Sequence, residues 1–109
     1  MRVERLDKYF KPEDLGRLLQ NFVSHLGAAI GIFDERGNLR FVDFMSPYCE
    51  VISSRVPERC EADRRERFEK AKRRRKPFLH TCFAGKLNFV IPLKFYSGKD
   101  EFFIGVAGG

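Results

Sequence analysis

The chain contains no tryptophan, a single glutamine (Gln20) and only three cysteines, Cys49, Cys60 and Cys82. Three is an odd number and too few for the disulfide framework of a small secreted domain. The opening residues Met1-Arg2-Val3-Glu4-Arg5 lack the apolar stretch of a signal peptide. No apolar run reaches the roughly 18 residues that a bilayer span requires. These absences argue against a secreted or membrane protein and for the reducing cytoplasm. Also missing are the C-x₂₋₄-C knuckle of zinc ribbons, a Gly-rich phosphate loop and a paired-carboxylate motif, which leaves little basis for an enzyme. Scarce amides beside a charged fraction of 33% agree with a thermophilic source.

What is present is a globular chain. Its 109 residues can bury about two-thirds of their unfolded surface in one core, and 12 of them are phenylalanine. Pro12-Glu13-Asp14 opens a helix, with proline at its first position and acids against the dipole. Leu15, Leu18, Leu19, Phe22, Val23 and Leu26 then form an amphipathic stripe, and Gly27 suits the position after the helix. His25 falls in its last turn, where a cation is favoured.

Ala28–Phe33 and Leu39–Phe44 alternate as strands around the turn Asp34-Glu35-Arg36-Gly37-Asn38. Ser46-Pro47 caps a short helix carrying Cys49 to Ile52. A longer helix runs from Glu58 to Arg75 and stops before Pro77. The strands Phe78–Phe83, Leu87–Tyr96 and Glu101–Val106 follow, with Ser97-Gly98-Lys99-Asp100 as a turn. The order α-β-β-α-α-β-β-β predicts an α+β domain, a five-stranded antiparallel sheet with helices covering one face. Residues 1–11 read as an N-terminal lead segment and 12–109 as a single domain. Ala107-Gly108-Gly109 follows directly on a strand, the ending expected of a module from a longer protein.

The chemistry gathers on the last helix and the strand after it. Cys60, Arg64, Phe68 and Ala71 share one helix face, with Asp63 at its edge. His80 and Cys82, two apart on a strand, share a face. The three thiols should therefore converge above the sheet, where Arg64 would supply positive charge. A single cysteine is equally what a small buried hydrophobe would be. As a nucleophile and base, Cys82 and His80 would stand about 6–7 Å apart at the backbone, too loose for a working pair.

The net charge of +6 is local, with nine of the 21 basic residues between Arg64 and Lys76. Glu61–Arg65, Asp63–Arg67, Glu66–Lys70 and Glu69–Arg73 stand at i, i+4 in the favourable order. They read as a solvated, ion-paired face, with nucleic-acid binding by this helix as the alternative.

Taken together, Tyr48-Cys49, Cys60 with Asp63, Cys82-Phe83-Ala84-Gly85, Val90-Ile91-Pro92-Leu93 and Gly105-Val106-Ala107-Gly108-Gly109 resemble the PocR sensory domain, a PAS-like ligand-binding module of prokaryotic signalling proteins. The resemblance runs from about Leu15 to Gly109. The family has a cysteine after an aromatic, a second opening the next helix, and a Cys-His-Ala-Gly segment before a strand ending in Pro-Ile. Phe83 here takes the place of that histidine, and His80 comes two residues before Cys82.

The resemblance implies a non-enzymatic sensor of a small organic molecule, such as a short diol, joined to a kinase, cyclase or DNA-binding output. Its pocket would use Cys49, Cys60, Asp63, Arg64, Cys82 and Phe83. A second possibility places a metal ion or iron–sulfur cluster on the thiolates of Cys49, Cys60 and Cys82, making metal or redox state the signal. The wide stripe of the first helix also suits a homodimer contact, as in PAS-like sensors.

Overall fold

A computed structural model describes residues 2–23 and 29–109. The readings made above for His25, Leu26, Gly27 and Ala28 lie outside the described residues. The elements are β1 (Arg2–Val3), a 3₁₀ turn (Leu6–Lys8), α1 (Pro12–Val23), β2 (Gly31–Asp34), β3 (Leu39–Val42), α2 (Pro47–Arg55), α3 (Pro57–Arg74), β4 (Phe78–Thr81), β5 (Leu87–Ser97) and β6 (Asp100–Gly108).

Five strands form an antiparallel sheet in the order β3-β2-β6-β5-β4, and β1 adds a sixth by pairing parallel to β6. The result is the expected α+β, PAS-like arrangement. With two residues, β1 is too short for alternation to reveal. It anchors the lead segment: Leu6 is fully buried, and its N–H donates to Glu35 Oε1 at 3.0 Å. Residues 2–11 are thus packed into the same body as the rest.

The sheet is covered on both faces, where the sequence reading put the helices on one. Leu15, Leu19 and Val23 of α1 pack with Ile30, Ile32, Ile91 and Ala107 on the first face. Phe68 and Ala71 of α3 pack with Val90, Phe103 and Val106 on the second. Strand alternation supplies an apolar side chain to each layer, so Phe89 and Val90 go opposite ways. The α1 stripe is divided by this packing: Leu18 and Phe22 remain 54% and 72% exposed.

Three local devices set the geometry of the second face. Ser46 caps α2 by accepting from Cys49 N–H at 3.2 Å, with Pro47 at the first helical position. A single residue, Val56, links α2 to α3 and serves as cap for both. In β6 a bulge at Ile104-Gly105 faces Leu93, and Gly105 has φ 155° with Phe33 O pressed against it. Pro92 is tolerated inside β5 because it lies past Val90, the last residue there to pair with β4.

Candidate functional site

β4 ends at Thr81, two residues earlier than the alternation suggested. Gly85 N–H donates to Cys82 O and Cys82 N–H to Lys86 O, both at 2.9 Å. Gly85 has φ 88°, a left-handed conformation in which glycine carries no penalty. This is a three-residue hairpin loop, Phe83-Ala84-Gly85, closed by a bulge. Cys82 therefore sits at the loop base, and Phe83 lies in the loop, not on a strand face. The guanidinium of Arg59 stacks on the Phe83 ring, 4.4 Å from its centre.

His80 stays on the strand and reaches α3. Its Nε2–H donates to both Asp63 oxygens, at 3.1 and 3.2 Å. The two side chains are 12% and 11% exposed. From α2, the Tyr48 hydroxyl donates to Ala84 O. The loop is thus tied to both helices.

Between these elements lies a cavity of about 60 Å³ whose lining includes Cys49, Cys60, Asp63, Arg64, Cys82 and Phe83. All six residues singled out from the sequence meet there. A neighbouring cavity of about 130 Å³ runs along the second sheet face under α3, with Phe33, Phe68, Val90 and Val106 among its walls. Cys49, Arg64, Arg67, Lys86 and Asn88 border both. The thiols line a shared wall, but among the described residues no group of three or more His, Cys, Asp or Glu side chains could hold a metal ion.

Arg67, Lys86 and Asn88 were missed. Arg67 is seven residues after Cys60, on the same inward stripe, but its i, i+4 pairing with Asp63 placed it on the solvated face. In the fold its side chain is only 20% exposed, and its Nε is 3.9 Å from Asp63 Oδ2. Burial pushes the guanidinium below its ordinary pKa; the Asp63 carboxylate pulls it back, Arg64 pushes it down again, and the Cys82 and Cys49 thiols act in the same sense as Asp63. Of the four acid–base pairs expected along this helix, Asp63–Arg67 is the one that forms. Lys70 turns instead to the Phe78 ring, which Arg74 also approaches. Asn88 is buried opposite His80 in the β4–β5 register and exchanges hydrogen bonds with Lys86: Lys86 Nζ donates to Asn88 Oδ1, and Asn88 Nδ2 donates to Lys86 O, each at 3.2 Å. A polar residue at an inward position of alternating Leu87-Asn88-Phe89-Val90 was the available signal.

The arrangement is an apolar chamber with a polar, cationic and thiol-bearing end, the usual make-up of a small-molecule site. The family described as the sensory domain found in PocR matches residues 8–99 of the chain. No curated protein and no solved structure matches it significantly.

Proposed function

The chain belongs to the family of PocR sensory domains, and we propose that it senses a small organic molecule held in the paired cavities beneath α2 and α3. The observation carrying this reading is that Cys49, Cys60, Asp63 and Cys82 of the family pattern, drawn from α2, α3 and the base of the β4–β5 loop, border one cavity together with Arg64 and Phe83, and that it adjoins an apolar chamber. Cys49, Cys60 and Cys82 form its thiol wall, Asp63 and Arg64 its polar side, and Phe83, within the hairpin loop, its outer cover. In this reading the domain reports occupancy instead of transforming its ligand; His80 donates to Asp63 and, among the described residues, hydrogen-bonds no thiol. The output is a kinase, cyclase or DNA-binding unit in the same polypeptide. No helix among the described residues is long and apolar enough to cross a membrane. Leu18 and Phe22, left exposed on α1, support pairing with a second copy through that helix.

The test is an NMR screen of short diols and related small molecules, followed by Cys82→Ser. Serine nearly keeps the volume of cysteine, so the variant should lose binding far more than it loses thermal stability. Equal loss of both would reduce Cys82 to a packing residue, and failure of every small molecule to perturb the cavity residues would remove the sensing proposal.

A further inference from the structure

The charge of the cavity walls bears on what enters. The larger cavity is bordered by Arg64, Arg67 and Lys86 and by no acidic side chain. The smaller one adds a single carboxylate, Asp63, which already accepts from His80. Among the described residues, neither Arg64 nor Lys86 forms an ion pair, and the bond from Lys86 Nζ goes to a neutral amide. Arg67 has Asp63 at the long distance of 3.9 Å, and its burial disfavours the charged form. Three cations at the end of a partly desolvated apolar chamber are an unsatisfied arrangement, since a buried charge is stable when paired and hydrogen-bonded.

A neutral diol would leave that imbalance in place. An anion would remove it, and the planar fork of an arginine matches the two oxygens of a carboxylate. Beyond the cations the chamber is walled by Phe33, Phe68, Val90 and Val106, which suits an apolar body and not a second charge. Its volume of about 130 Å³ is close to that of a cavity of roughly 150 Å³ that accepts benzene.

We propose that the ligand is a small monocarboxylate, its carboxylate held between Arg64, Arg67 and Lys86 and its body, of roughly benzene size, lying along the sheet. This rests on the sensing proposal above and names the chemical class of its ligand.

Titration of the protein followed by ¹H–¹⁵N NMR, with butyrate and benzoate against 1-butanol and benzyl alcohol, tests it. Each acid should bind at least about tenfold more tightly than its alcohol, as expected when a charge-assisted hydrogen bond replaces a neutral one. The shifts should centre on Cys49, Asn88 and Phe89. Arg64→Gln and Lys86→Met should each weaken the acids by about tenfold and the alcohols by clearly less, so that the preference for acid over alcohol falls. Lys86 is half-buried beside the hairpin loop, so its variant serves if Arg64→Gln fails to fold. Alcohols binding as well as the acids would overturn the carboxylate assignment and leave the sensing proposal standing. Acids that bind tightly but ignore both substitutions would overturn it as well. No binding by any of the four would overturn the carboxylate assignment, and the diol screen above would then decide the sensing proposal separately.

Discussion

Removing the Asp63 carboxylate should detach the β4–β5 hairpin from α3. Asp63 accepts one charge-assisted hydrogen bond, shared between its two oxygens, from His80 Nε2. Such bonds contribute about 1.5–3 kcal/mol. Both side chains are nearly nine-tenths buried, so solvent screening reduces this little. Arg67, 3.9 Å away, adds a few tenths of a kcal/mol on the scale of helical i, i+4 pairs. Asp63→Ala should therefore cost about 2–3 kcal/mol, and at about 4 °C per kcal/mol for a domain of this length the midpoint should fall by roughly 10 °C. Urea denaturation of the parent, Asp63→Ala, His80→Ala and the double variant closes a cycle that isolates the pair. A coupling of at least about 1 kcal/mol is expected. Strictly additive single variants would refute the argument: the hairpin would then be held by packing, and His80 would be a bystander.

Three further outcomes follow from the fold. Gly105→Ala should destabilise by more than the roughly 1–3 kcal/mol of backbone strain alone, because an added Cβ would stand 2.2 Å from Phe33 O; a shift in urea midpoint measures it, and a neutral result would argue against the bulge. Phe103→Ala, at a site with no exposed surface, should cost about 3–5 kcal/mol in the same assay. Arg40, hydrogen-bonded to Asp7, holds its carboxyl below the ordinary 3.8. The pairing thus stabilises the fold above that pH and is lost as pH falls through the lowered value; parent and Asp7→Asn should differ at neutral pH and converge in acid, as read by pH-dependent denaturation.

Helices and strands with strong periodicity were legible in the sequence, and six of the residues bordering the smaller cavity were singled out from it, while Arg67, Lys86 and Asn88 were not. The Leu15–Val23 stripe, the Ser46-Pro47 cap and the end of α3 before Pro77 each state a local rule that tertiary packing did not override. The face on which α1 packs was not legible, because an apolar stripe says that a helix is covered and not by which side of a sheet. Cys82 was placed on a strand because alternation continues through Phe83, while the loop is decided by Gly85, whose left-handed backbone permits but does not announce the turn. Arg67 illustrates a different limit. A pairing rule for exposed helices assigned it to solvent, although the stripe through Cys60 and Phe68 pointed it inward.

The helix α2 supplies Tyr48, Cys49, Ile52 and Ser53 to the smaller cavity, yet none of its nine residues is buried. It is moored by packing on α3, by the Ser46 cap and by the Tyr48 bond to the hairpin loop, and it joins α3 through the lone connector Val56. An element with little buried apolar area opens at a small fraction of the free energy that unfolds the whole domain. The chamber thus has one rigid wall, the sheet, and one that yields. A guest touching both favours the closed arrangement by the difference in its affinity for the two, about 1.4 kcal/mol for each factor of ten. Under the sensing proposal, α2 with no buried residue is the wall that would report a guest, and the stiffness of its mooring would set how faint an occupancy it registers.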